Sequence, residues 1–381
     1  MTGVREAVVS GAAALDGHAG YAGWSPADLA TRVVIDAVRN AGLEAAAIDA
    51  VYAGDPLVER HSDFSAVVAQ QLGIQPRAGG TVARGGATGV SLLAIATQAI
   101  AAGHIDHAVC VWADNRRSAA RGAAVQTLAG EIAWHERACG PLPATQYALI
   151  THLYMQRFGA TPEQFAAVPV VFRSHAALNP AARHRDPINI ADVLDSPMVS
   201  SPIHRLECAL VTDFAGAVVV SRDGGAPGPS VRISGVGQST THDNLTAGGD
   251  LIEQLVTGAA HTGQTAFRQA GTSAADVDLA MLYDCFPIAV ALQLEMFGFC
   301  GRGEALELVD AGTLSRGGPL PCNTHGGMMS CATSGMLHVV EAVLQLRGEA
   351  GAHQLERRPA RALVHGNGGV FSTHATVILE A

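Results

Sequence analysis

The chain repeats itself at about half its length, and no other feature constrains its fold as strongly. Ala37–Asp49 reads AVRNAGLEAAAID and Ala266–Asp278 reads AFRQAGTSAADVD. In each, a helical pattern stops at an Ala-Gly pair, a short acidic turn follows, and an apolar strand carrying a tyrosine (Tyr52, Tyr283) comes next. The glycine after the helix is the residue expected at a helix C-terminus, where a left-handed conformation is required. A period this long excludes a solenoid and implies two homologous halves. A second pair agrees. Gly86-Ala-Thr-Gly89 opens an apolar helical pattern that stops at Gly103, and Cys331-Ala-Thr-Ser-Gly335 opens another that stops at Gly348. Each half therefore predicts strand, helix, strand, helix, strand. The strands are near-continuous apolar runs (Ala108–Trp112, Ala217–Val220, Ala280–Tyr283, Ala362–Val364). Runs of that kind, alternating with helices, predict an α/β fold whose strands are parallel and buried on both faces.

The predicted halves are residues 1–223 and 230–381, joined by the GGAPGP run Gly224–Pro229. An insertion over about 114–202 interrupts the first half. It contains a helix start, Thr161-Pro-Glu-Gln164, and a polar, proline-rich return over Asn179–Pro187. Such an insertion is expected to roof a site at the end of a sheet.

Composition removes whole classes of function. All 24 basic residues are arginine, so there is no lysine for a Schiff-base aldolase, a pyridoxal-phosphate enzyme or a P-loop nucleotidase. The net charge of −10 argues against nucleic acid and anionic membranes as partners. Only 15% of residues are charged, which predicts a large core and an oligomer interface, at least a dimer. No apolar run reaches the roughly 18–20 residues of a membrane span, and the start of the chain lacks a basic targeting segment. The seven cysteines (110, 139, 208, 285, 300, 322, 331) are scattered and odd in number, as in reduced cytoplasmic thiols. His104 and His107 lie three apart without a cluster to complete a ligand set, and His184 stands between Arg183 and Arg185, so no metal is expected. No G-x-G-x-x-G follows a strand, so no dinucleotide cofactor is expected either.

Several segments in a fixed order carry a family resemblance. They are RGGATG (84–89), YMQRFGATPEQFA (154–166), LNPAARHRDPINIADVLDSPMV (178–199), TDFAGAVVVS (212–221), YDCFP (283–287), PCNTHGG (321–327) and HGNGGVFS (365–372). Together they resemble the thiolase superfamily, in the branch of sterol-carrier-type thiolases and lipid-transfer thiolase-like proteins. The resemblance implies the thiolase fold, two duplicated βαβαβ-type halves in α/β/α/β/α layers with a loop insertion. It also implies an acyl-CoA thioester as substrate, no further cofactor, and a homodimer. In active thiolases a cysteine at the start of the first half's helix takes the acyl group. Here that position is Gly86. Tyr283, in YDCF, stands where the family places a His or Asn, and His365 of HGNGG stands where it places a second Cys. The family's GHP motif is missing, since His325-Gly-Gly-Met-Met-Ser-Cys331 runs straight on towards the helix.

The oxyanion frame implied by the resemblance survives: backbone N–H groups of Gly86 and Asn367, with Gly368 and Gly369 allowing close approach. Glycine at 86 is expected to free roughly one side chain's volume for a bulkier substrate. Family members without the cysteine include aldolases that cut a β-hydroxyacyl-CoA side chain from a steroid together with a small OB-fold (DUF35-type) partner. A retro-aldol reaction is thus the expected chemistry, with Tyr283, His365 and His325 as candidate acids and bases. Two alternatives stay open: an acyltransferase using Cys331 as a relocated nucleophile, or a non-catalytic subunit that binds acyl-CoA. Cys331 reads first as a small buried residue, Cys285 and Cys322 as packing, and His338 and His374 as structural. Arg116-Arg117 and Arg183 with Arg185 read as CoA phosphate ligands or as a solvated face. Sterol, aromatic and short acyl chains all remain possible.

Overall fold

The computed structural model describes residues 5–15, 20–119, 143–242 and 250–381. The first half runs β1 (Ala7–Ala14), α1 (Pro26–Asn40), β2 (Ala50–Gly54), α2 (Phe64–Leu72), β3 (Ala78–Val82), α3 (Thr88–Ala101) and β4 (His107–Asn115). The insertion follows, with α4 (Pro143–Phe158), α5 (Pro162–Ala176), α6 (Ile190–Leu194), β5 (Met198–Ser200) and β6 (Ile203–His204), and the chain returns through β7 (Asp213–Arg222). The second half runs β8 (Val231–Thr240), α7 (Leu251–Ala270), β9 (Leu279–Met281), α8 (Pro287–Met296), α9 (Ala305–Asp310), α10 (Gly327–Ser330), α11 (Gly335–Arg347), β10 (Arg361–Gly368) and β11 (Thr373–Glu380). The GGAPGP run lies between β7 and β8.

Nine strands join in the order β3-β2-β4-β7-β1-β8-β11-β10-β9, and the halves meet where β1 pairs β8. The expectation of parallel strands holds only in part. The pairs β2–β3, β2–β4 and β9–β10 are parallel, whereas β4–β7, β7–β1, β1–β8, β8–β11 and β10–β11 are antiparallel. Apolar runs report burial on both faces, not direction. The tight β10–β11 turn brings the chain straight back, which only an antiparallel pair accepts at short range.

Helices α1 and α2 cover the outer face of the first half, packing Val33, Val34, Ala37 and Val68 on Val109, Val111 and Val219. Helices α7 and α8 cover the outer face of the second half, through Leu255, Ala259, Ala266 and Leu292 on Leu363 and Ile378. Between the halves lie α3 and α11, whose Leu92, Leu93, Val339 and Val340 share one core with Cys110, Val364 and Val377. The result is the expected α/β/α/β/α layering. Outer and central helices differ in pattern, as their positions require. Helix α1 is amphipathic and opens with a Ser25–Asp28 capping box around Pro26, while α11 is buried on nearly every face. Gly103 and Gly348 follow α3 and α11 in the left-handed conformation (φ 73° and 77°), as expected.

The first turns of α3 and α11 touch backbone to backbone. A Cβ on Gly89 would lie 2.6 Å from the Met336 nitrogen, and one on Gly335 would lie 2.6 Å from the Gly86 carbonyl oxygen. The insertion leaves from the first half but packs on the second. Its Tyr147, Tyr154, Phe165 and Phe172 are buried in the same cluster as Phe286, Leu292 and Phe371. Gln164 caps the Thr161 N–H at 3.1 Å, as the sequence predicts.

Candidate active site

The site forms where the turn before α3, the end of β9 and the β10–β11 turn converge. Gly86 sits in the tight turn Gly85–Ala87, and Thr88 Oγ1 accepts from the Arg84 N–H at 3.0 Å to hold it. The space beside Gly86 is already filled. A Cβ built there falls well inside 3.0 Å of Tyr283 Cζ and Cε2 and of the Asn367 carbonyl oxygen. The expectation of freed volume for a bulkier substrate is therefore wrong, because the Tyr283 ring occupies the place of the lost side chain. Tyr283 follows β9 rather than ending it, and the Gln293 amide fixes its backbone at both N–H (3.0 Å) and C=O (2.8 Å). Its hydroxyl has no hydrogen-bond partner among the described residues. Burial pushes the phenol well above the ordinary tyrosine range, with Cys285 and Asp284 adding to the rise and Arg116 opposing it. The phenol is thus an un-ionised donor at neutral pH, which suits an acid better than a base.

Asn367 borders Gly86 through its carbonyl oxygen, and its side chain makes a hydrogen bond that sequence reading did not find. Asn367 Nδ2 donates to the Tyr147 hydroxyl at 3.0 Å. Asn367 Oδ1 is buried without a partner among the described residues. Tyr147 stacks on Phe286 with ring centroids 4.7 Å apart. Burial raises the Tyr147 phenol and pushes the Cys285 thiol up to about 12, so neither ionises at neutral pH. Gly368 and Gly369 face the same turn. A Cβ on Gly368 would collide with the Arg84 carbonyl, and Gly369 has φ 60°.

The other candidates lie elsewhere. Gly366 faces Ala87 and Val90, so its strand neighbour His365 points to the opposite side of the sheet. There His365 is fully buried against Phe297 and bonded to Thr376 Oγ1 (2.8 Å) and His374 (3.3 Å). His325 sits behind the site among buried polar side chains, its ring 4.9 Å from that of His338, with both ring nitrogens unpartnered among the described residues. Burial and the neighbouring His338 push it down to about 3, so it is neutral. His338 bridges the Asp284 carboxylate (3.0 Å) and the Ser334 carbonyl (3.2 Å). Asp284 also accepts from the Met328 N–H, which secures the Gly326–Gly327 turn. Cys331 does not begin a helix. It follows α10, is buried, and lies 3.7 Å from Asn179 Nδ2, while Ser334 caps α11.

A separate feature is Arg116, which the sequence pairs with Arg117 as a phosphate ligand or a solvated residue. Arg116 is not solvated. Its Nε donates to the fully buried Asp114 at 2.9 Å, and its guanidinium lies over Phe214 (5.1 Å) and Trp112 (5.7 Å). Arg116, Arg117, Arg183 and His184 line a cavity of about 540 Å³ with Leu210 and Val211. Burial and the Arg173 and Arg183 charges hold His184 below its usual range. Among the described residues no group of His, Cys, Asp or Glu is placed to hold a metal, and no helix is long and apolar enough to cross a membrane.

Comparison with known proteins adds to this geometry. Residues 237–381 match a family model described as thiolase C-terminal domain-like. The chain is 34% identical over 367 residues to a steroid side-chain-cleaving aldolase of Thermomonospora curvata, covering 90% of this chain and 92% of that one. It is 34% identical over 342 residues to a 17-hydroxy-3-oxo-4-pregnene-20-carboxyl-CoA lyase of Mycobacterium tuberculosis, covering 86% and 88%. Among solved structures, the Ltp2-ChsH2(DUF35) aldolase superposes with a TM-score of 0.87 at 31% identity, over 99% of this chain and 98% of that one.

Proposed function

This chain belongs to the thiolase superfamily, and on that premise we propose that it is a lyase cleaving a carbon–carbon bond of a β-hydroxyacyl-CoA by retro-aldol reaction. The observation that carries the reading is the Tyr283 ring seated where a nucleophilic side chain at position 86 would stand. Acyl transfer through that position is closed, while the start of α3 and the Tyr283 phenol lie beside it. In the reaction the substrate hydroxyl loses its proton and its C–O bond becomes C=O. The Cα–Cβ bond breaks and its electron pair moves into the thioester as an enolate, which then takes a proton at Cα. The products are a ketone or aldehyde and a shortened acyl-CoA. The Gly86 N–H, at the start of α3, faces the thioester oxygen. Tyr283, held un-ionised, supplies a proton or hydrogen bond to the enolate. Without lysine there is no imine route.

The cationic cavity on an acidic protein suits the phosphates of CoA. The steroid aldolase and the pregnene-carboxyl-CoA lyase among its relatives favour a steroid side chain as the acyl group. The likeness to an aldolase solved together with a DUF35 protein favours a small OB-fold partner. A homodimer acting in the cytoplasm, with no cofactor beyond the CoA ester, completes the reading. The test is to incubate the protein, alone and with a small OB-fold (DUF35-type) protein, with β-hydroxyacyl-CoA esters and with β-ketoacyl-CoA plus CoA. Carbonyl release from the hydroxyacyl esters, unaffected by iodoacetamide, is expected. Thiolysis of the β-keto ester would instead restore Cys331 as nucleophile, and binding without either product would leave an acyl-CoA-binding subunit.

A further inference from the structure

We infer that Asn323 and Gln293 are positioning residues of this site: their buried amides clamp the backbone that carries Tyr283 and so aim its phenol at the turn of Gly86. The inference rests on the lyase reading for what the phenol does. It goes beyond that reading, since neither the sequence motifs nor the comparisons give either amide a role. The starting point is where the sheet stops. The ladder between β9 and β10 covers Leu279–Met281, and Leu282 and Tyr283 continue past it. Leu282 has no exposed surface, so its peptide groups need partners inside the protein. Two side-chain amides supply them. Asn323 Oδ1 accepts from the Leu282 N–H and its Nδ2 donates to the Leu282 C=O, both at 2.8 Å. Gln293 repeats the arrangement one residue on, accepting the Tyr283 N–H at 3.0 Å and donating to the Tyr283 C=O at 2.8 Å. An amide side chain carries a donor and an acceptor, so each stands in for the missing neighbouring strand.

The clamp is built from fixed parts. Neither amide has exposed surface, and Gln293 Nε2, on α8, donates to the Ala289 carbonyl as well at 2.6 Å. Asn323 reaches Leu282 because residues 321–323 run beside β9. The Ala280 N–H donates to the Pro321 carbonyl and the Asn323 N–H to the Ala280 carbonyl, both at 3.0 Å. That run ends with Asn323 in the left-handed conformation (φ 50°), which asparagine adopts more readily than most residues. On the far side of Tyr283, His338 and the Met328 N–H hold Asp284. The ring itself has no slack. It lies between two helix starts, well inside 3.0 Å of a Cβ on Gly86 and 3.8 Å from one on Gly335. A shift of the backbone is therefore carried to the hydroxyl, and a misplacement of about 1 Å costs on the order of 100-fold in rate. The competing explanation is that the amides only satisfy buried peptide groups. That role lowers stability when lost and leaves the phenol where it is.

The experiment uses the full chain labelled with ¹³C at Cζ of its five tyrosines. The Tyr283 resonance is assigned by its loss in Tyr283→Phe. Asn323→Gly removes one amide and leaves the left-handed backbone unstrained. Gln293→Met removes the other at nearly constant volume. In each variant the Tyr283 resonance is expected to shift or split, while those of Tyr21 and Tyr52 in the first half stay in place. Gln293→Asn, with its amide one methylene short of Tyr283, is the milder change and is expected to behave like Gln293→Met. Carbonyl release from β-hydroxyacyl-CoA esters is expected to show kcat lowered by about 10- to 100-fold and KM within about threefold, because neither amide touches the ester. A folded variant with a lower Tm but a wild-type Tyr283 resonance and kcat would make the amides structural only and overturn the inference. A wild-type protein that cleaves none of the esters, while the resonance still moves in the variants, would overturn the lyase reading and leave the clamp standing.

Discussion

Gly86→Ala is the sharpest probe of the site, because its sign depends on whether the Tyr283 ring fills the position. Gly86 is not in the left-handed region, so alanine fits its backbone. If the adjoining space were open, the substitution would stabilise the protein by about 0.4–1 kcal/mol, through reduced freedom of the unfolded chain. The structure predicts the opposite. The added methyl falls inside 3.0 Å of both Tyr283 Cζ and the Asn367 carbonyl oxygen, against an ordinary carbon contact of about 3.5–4.0 Å. The ring end can swing away, but Asn367 is tied into β10 by its register with His374, so the clash is relieved only in part. Overpacking of this kind costs about 1–3 kcal/mol. Urea denaturation of wild type, Gly86→Ala, Tyr283→Ala and the double variant measures the effect and its coupling. Gly86→Ala is expected to lose about 1–3 kcal/mol alone and distinctly less in the Tyr283→Ala background, a coupling of about 0.5–2 kcal/mol. A Gly86→Ala protein more stable than wild type, with no coupling to Tyr283, would refute the placement of the ring. The same clash predicts that Gly86→Cys does not by itself create a thiolase.

Three further outcomes follow from the geometry. His175 and His325 are buried neutral with values lowered to about 4 and about 3, by burial above all, whereas in the unfolded chain they take up protons near 6.5. Between pH 6.5 and about 4 the unfolded state binds more protons, so stability falls as pH falls, by on the order of 3 kcal/mol per histidine over the window. Chemical denaturation across that range is expected to show this slope, and His325→Phe to flatten it. Tyr283→Phe is expected to abolish carbonyl release while leaving CoA-ester binding intact, which calorimetry with a non-cleavable ester checks. Tyr147→Phe removes the acceptor of the buried Asn367 amide. Thermal unfolding is expected to report a loss of about 1–3 kcal/mol, and a neutral result would remove that hydrogen bond from the site.

What the sequence discloses and what it withholds divide along a physical line. Local signals were readable: the glycine stops at Gly103 and Gly348, the Thr161 capping box, the repeated helix starts and the empty position at 86. Each depends on backbone geometry within a few residues. Signals that depend on which way a side chain faces were not. His365 and Gly366 are adjacent in a motif, yet strand alternation sends one to the core beside Phe297 and the other to the turn at Gly86. His325 looks exposed to chemistry before its Gly-Gly pair, yet it faces inward to His338. Cys331 occupies the repeat position of Gly86 when the halves are aligned, but α11 starts later and leaves it after α10. Arg116 reads as half of a basic pair. Only its company, an aspartate two residues before it and a tryptophan four before it, hinted that it turns inward. Tyr147 lies in the insertion, far from every motif, and no local pattern points to it.

The contact between Gly89, Gly335 and the Met336 backbone has a consequence for how a duplicated chain divides its labour. Neither half is a smaller working version of the whole. One half brings a helix start, the other a phenol and the hairpin that closes beside it, and the two are held in register by main chain against main chain. Side chains elsewhere in the two halves are therefore free to diverge while the seam keeps its spacing. The turn at Gly86 and the phenol of Tyr283, one from each half, meet across that seam.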